Sequence, residues 1–223
     1  MAKGMKGDGF GTRTGNIPGG AGGAGIPSRM TQKFGTLRFV PIGLSEEVRA
    51  ASVESLNQIL ADTITLRELY KKHHWQVAGP TFYQLHLLFD KHYEEQAPLV
   101  DSIAERIQLL GGVAISLPRD VAAMQSITDA PADAEDVPTQ LARFAEAHMR
   151  MLMHCHAAAK KADEMGDDGT NDLLVSELIR TNEMHAWFIN EHRISMPLTH
   201  DTALQNAPET SRTEGAGAPM MHS

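Results

Sequence analysis

Two pairs of metal-competent side chains, His86 with Asp90 and Asp101 with Glu105, stand four residues apart within one expected helix. They lie in the segment 72–112, KHHWQVAGPTFYQLHLLFDKHYEEQAPLVDSIAERIQLLGG. The Ala78-Gly79 break and Pro80 in a first-turn position mark the start of that helix. Gly111-Gly112 marks its end. At about 100° per residue, all four side chains fall within roughly a 100° sector of one face. Along the axis, however, Asp90 and Asp101 are about 16 Å apart. Metal–ligand bonds are ~2 Å long, so one ion cannot touch both pairs of the same helix. Either each pair completes a site with other elements, or two copies of the helix lie antiparallel about a two-fold axis. The second arrangement sets His86 and Asp90 of one chain opposite Asp101 and Glu105 of another, giving two identical sites per dimer. It is favoured because it gives every polar group on the face a partner. Imidazole with carboxylates is a ligand set suited to iron or zinc. His74, just before the turn, is a fifth candidate.

An isolated acid pair at this spacing is ordinarily a solvated helix face. Here two pairs share a face among the apolar residues Leu85, Phe89, Val100, Ile103 and Ile107, which argues for a built site. His92 is expected to be an ordinary hydrogen-bonded histidine. His154, Cys155 and His156 are consecutive, point in different directions on a helix, and are expected to be structural.

The 223 residues suffice for one sizeable core. Cys155 is the only cysteine, so no disulfide forms within the chain, which fits a reducing cytoplasm. No apolar run reaches transmembrane length, and no signal-like core opens the chain. The first 35 residues are glycine-rich, without apolar periodicity, and are expected to be flexible. Residues 1–45 carry six Lys/Arg and one acid, about +5 of a net −8, leaving about −13 elsewhere. A basic arm on an acidic body has the charge to touch phosphate backbones non-specifically.

Ser45 with Glu46 and Glu47 reads as the start of a helix that reaches Val77. The second helix runs from Pro80 to Leu110, with Pro98 expected to kink it. Residues 113–135 form a long connection with a short helix at 119–127. A third helix runs from Pro138 to Met165, stopped by Gly166, and a fourth from Thr170 to Arg193. Four long helices with one long crossover between the second and third describe an all-α ferritin-like four-helix bundle over 45–197. Residues 1–44 and 198–223 are expected to be tails. The usual metal centre of that architecture lies inside one bundle and needs Glu-x-x-His, which this chain lacks.

The intervals His74–His86–Asp90–Asp101–Glu105, the dipeptide His74-Trp75, and the strings GPTFYQLHLLFD and DSIAERIQLLGG resemble the ferroxidase signature of the Dps family, the DNA-binding proteins from starved cells. The resemblance covers roughly residues 45–195. It implies a hollow homododecamer that oxidises Fe(II), usually with hydrogen peroxide, at dimer interfaces and stores ferric mineral. It also implies a cytoplasmic or nucleoid-associated protein that protects DNA, with non-specific DNA contact through tails in many members. Carried over, His74, His86 and Asp90 come from one subunit and Asp101 and Glu105 from its partner, with Glu105 bridging. Trp75 is implied beside the iron, where it absorbs an oxidising equivalent. His73 is at most a supporting residue. Asp168, Asp172 and Glu177 fit an acidic entry channel only loosely, and the tail histidines His200 and His222 are weak metal candidates. The competing readings are a DNA-compacting protein with minor metal chemistry and a zinc-binding assembly without turnover.

Overall fold

A computed structural model describes residues 29–194. Four long helical runs and one short helix form the bundle. They are α1 (Glu46–Gln76), α2 (Phe82–Leu109), the short α3 (Pro118–Met124) and α4 (Val137–Met165). The last run joins α5 (Asp168–Asp172), a π-helical segment (Leu173–Ile179) and α6 (Arg180–Glu191) without a break. Among the described residues, no helix is long and apolar enough to cross a membrane.

Helix ends follow local chemistry. The Ser45 hydroxyl accepts from the Val48 amide, and the Asp136 carboxylate accepts from Thr139, capping α1 and α4. Gly166 takes a left-handed conformation (φ 77°) to end α4. Asp167 then caps α5, accepting from the Thr170 amide. Pro98 sits within α2 and does not interrupt it. The expected boundaries agree to within about three residues, as helix ends usually do.

The turn at 77–81 makes α1 and α2 antiparallel neighbours. The crossover then travels the length of α1. Near its start Asn57 bonds Val113 and Ile115, midway Asp62 accepts from Ser126, and at its far end Lys72 reaches the Asp133 carbonyl. This returns the chain to the N-terminal end of α2, so α4 runs in the same sense as α2. Apolar faces of all four runs meet in one core. At its centre Tyr70 stacks on Phe144 (4.1 Å between centroids, 15°), with Phe89 packed on both.

Part of the segment expected as a flexible arm lies on the bundle. The Gly111 carbonyl accepts from the Arg38 amide (2.9 Å) and from Gln32 Nε2 (2.9 Å), while Phe34, Leu37 and Leu44 pack against the core. Gly111 has φ 84°, and a Cβ there would come 2.5 Å from the Arg38 carbonyl oxygen. Only glycine combines that conformation with that approach. The tail expectations for 1–28 and 195–223, with His200 and His222, lie outside the described residues.

Candidate metal centre

His74 ends α1 and His86 opens α2, so the short turn between them brings their main chains face to face. Each ring is pinned to the other residue's backbone: His74 Nδ1 donates to the His86 carbonyl (2.8 Å), and His86 Nδ1 donates to the His74 carbonyl (2.9 Å). The proton of each neutral ring is therefore held on Nδ1, leaving both Nε2 lone pairs for a ligand. The rings stack, centroids 3.8 Å apart and planes 21° apart.

Asp90 is one turn beyond His86, and its Oδ1 lies 3.8 Å from His74 Nε2. Lys71 Nζ donates to the same oxygen at 2.5 Å. That hydrogen bond holds the Asp90 carboxyl below its ordinary pKa and raises the lysine above its own. The carboxylate is thus anionic throughout the neutral range. His74, His86 and Asp90 are brought together, all half-buried.

Asp101 and Glu105 are not brought to them within the chain. They lie further along the same helix, both exposed. Trp75 is 72% exposed, and with Phe82, Tyr83 and Leu87 it gives this end of α1 and α2 an apolar outer surface. Asp168, Asp172 and Glu177 are exposed, and His73 is buried in the core, edge-on to Phe144 (5.3 Å). Burial and then nearby Lys72 lower the His73 pKa to about 4. Cys155 is buried and its thiol is pushed up to about 12 by burial; His154 instead donates to Asp62 (2.9 Å).

Residues 53–197 match the family model of the ferritin-like domain. DpsC from Streptomyces coelicolor is 52% identical, covering 77% of this chain and all of its own, with a TM-score of 0.76. The DNA protection during starvation protein of Halobacterium salinarum is 31% identical over 150 residues, 67% of this chain and 79% of the relative. The chain belongs to the Dps family of ferritin-like proteins. A low temperature-induced protein from a Nostoc species, of uncharacterised function, is 31% identical over 177 residues, 79% of this chain and 98% of the relative.

Within this Dps-family bundle lies a second cluster that sequence reasoning passed over. Ligand-capable atoms of His92, Glu95 and His185 all fall within 4.8 Å of one another. His185 Nε2 contacts Glu95 Oε2 at 2.9 Å, and its Nδ1 meets the Gln96 amide nitrogen at 3.2 Å. The His92 and His185 rings stack at 3.8 Å, and Tyr70 Oη joins His148 Nε2 (2.5 Å) beside them. Both nitrogens of His92, Nδ1 of His148 and Oε1 of Gln96 are buried without a hydrogen-bond partner. Each such group costs about 1–3 kcal/mol. Burial lowers the His92 pKa to about 2 and that of His148 to about 3, and drives His185 down as well. Burial pushes Glu95 up, but hydrogen bonds from Lys91 and His185 outweigh it and hold the carboxyl below its ordinary value.

From sequence, His92 is expected to be unremarkable, with no carboxylate at helical spacing. Glu95 in fact stands three residues on, on the same face, and it was the available signal. The third residue was harder to find, because His185 reaches the cluster from a different helical run. Glu-x-x-His marks carboxylate-rich di-metal centres and does not mark a histidine-rich interior.

Proposed function

We propose that this Dps-family protein oxidises Fe(II) at sites shared between two subunits and stores the ferric product. His74, His86 and Asp90 of one subunit face Asp101 and Glu105 of the partner. The reciprocal pinning of His74 and His86 carries this reading. Two backbone-locked imidazoles with free Nε2 atoms cost little to organise when a cation arrives. The rest of the ligand set is oxygen, which binds Fe(II) without trapping it and leaves it exchangeable. Lys71 keeps Asp90 ionised until an ion replaces the ammonium. Glu105 is exposed, and the family resemblance assigns it the bridging role from the partner side.

Hydrogen peroxide is the oxidant that fits two adjacent ions. Two Fe(II) each give up one electron, the O–O bond breaks, and two protons are taken up to leave two waters. Ferric hydrolysis then deposits mineral within a closed assembly, read from family membership as a dodecamer. Trp75 sits beside His74, where it takes up an oxidising equivalent that escapes the iron pair. Iron oxidation and removal of peroxide together protect the cell and its DNA.

Fe(II) is added anaerobically, then peroxide, and ferric absorbance is followed in wild type and in Asp101→Ala with Glu105→Ala. The initial rate is expected to fall at least ~10-fold in the variant. Equal rates would contradict the assignment. The charge separation between residues 1–45 and the body favours DNA contact through the arm as an additional activity. A salt-sensitive gel shift that survives deletion of residues 1–28 unchanged would exclude that part of the arm as the contact.

A further inference from the structure

We propose that each subunit holds a second site, inside its own helix bundle, that binds one divalent transition-metal ion through His92, Glu95 and His185. This site is separate from the interface centre and needs no partner chain. Two imidazoles and one carboxylate are a ligand set shared by zinc sites and by mononuclear Fe(II) sites, with remaining positions open to water or a fourth ligand. His148, whose Nδ1 has no partner and whose ring lies 5.8 Å from that of His185 between centroids, is a further imidazole in the same part of the core. Independent of the ligand-capable grouping, His92 is fully buried with both ring nitrogens unpaired. A buried polar ring is seldom left this way unless it has a task, and ion binding supplies one.

Two stacked histidine pairs among the described residues differ in how they are held. Both stack at 3.8 Å. The interface pair is locked by main-chain carbonyls. His92 is held by no hydrogen bond, and one of its ring nitrogens already lies within 4.8 Å of ligand atoms of His185 and Glu95. The carboxylate also gives the route in: the Glu95 side chain is 39% exposed and paired with Lys91 at the surface, while His185 behind it is buried. The π-helical segment precedes α6, and π-helical turns inside α-helices occur often at functional sites. Asn182 and His185 follow it in α6 and are both buried.

Co(II) is the probe, because it does not undergo the iron reaction and its visible absorption reports imidazole ligation. The full-length protein carrying His86→Ala, Asp101→Ala and Glu105→Ala removes the interface centre. In that background we expect one Co(II) per chain and a rise in melting temperature on addition. Adding Glu95→Gln, a half-exposed and nearly isosteric change, is expected to weaken binding at least ~10-fold with helix content unchanged. His185→Gln should do the same, and if it fails to fold, Glu95→Gln decides. No Co(II) bound in the interface-deleted protein would overturn the proposal. So would binding that is unaffected by Glu95→Gln. Neither result bears on the interface reaction, which is read by iron oxidation in proteins with the interface residues intact.

Discussion

Asp167 shows how much one side chain can hold together. It is fully buried and accepts from Ser52 Oγ (2.6 Å), from the amide and hydroxyl of Thr170, and from the Arg106 guanidinium. It joins α1, α2 and the last helical run at one point. Burial raises its pKa, but these donors outweigh burial and hold it below the ordinary 3.8. The contribution is therefore complete above about pH 4, where the unfolded carboxyl is ionised, and it is lost as pH falls through the lower folded value. Asp167→Ala is expected to cost ~3 kcal/mol at neutral pH, since it strands a partly buried guanidinium together with the Ser52 and Thr170 donors. The difference from wild type in urea unfolding should shrink as the pH drops below about 4. A constant difference would show that the charge is not what matters. At this scale the placement of His86, Asp90, Asp101 and Glu105 along one helix was legible, because four residues on one face and a gap of about 16 Å are arithmetic on a helix. The pinning of His74 to His86 was not legible. It depends on how the turn at 77–81 closes, and no spacing rule gives that.

At the level of elements, helix ends were readable wherever a cap residue or a glycine stops the pattern, as at Ser45 and Gly166. The π-helical segment was not readable. Leu173, Leu174, Leu178 and Ile179 are all buried, and that spacing is equally good for an α-helix, so the whole run reads as one regular helix. Docking of residues 32–44 was also hidden: Phe34, Leu37, Phe39, Val40, Ile42 and Leu44 make the stretch apolar, but with neither helical nor strand periodicity to say what it packs on. Their contact rests on Gly111 and on Arg49, whose Nη1 donates to both the Arg38 and Leu110 carbonyls. Gly111→Ala is expected to release this segment at a cost of about 1–3 kcal/mol. Trypsin should then cut at Lys33 and Arg38 several-fold faster than in wild type, with cleavage inside the helices unchanged. Equal rates at these two sites would mean the docking does not depend on that glycine.

For the whole molecule, the central claim is that the chain is half of a reaction site. In the proposed site His74, His86 and Asp90 come from one subunit, and the exposed Asp101 and Glu105 serve another copy. The proposed isologous dimer accounts for the gap of about 16 Å, and the proposed closed shell is read from Dps membership. Complementation reads the shared site directly. His86→Ala chains and Asp101→Ala chains, each inactive alone, are unfolded together and reassembled in equal amounts. In a mixed dimer one site carries both defects and the other carries neither. Random pairing therefore predicts about a quarter of the wild-type rate of peroxide-driven Fe(II) oxidation. No recovered rate in dimers verified as mixed would contradict a site built by two chains.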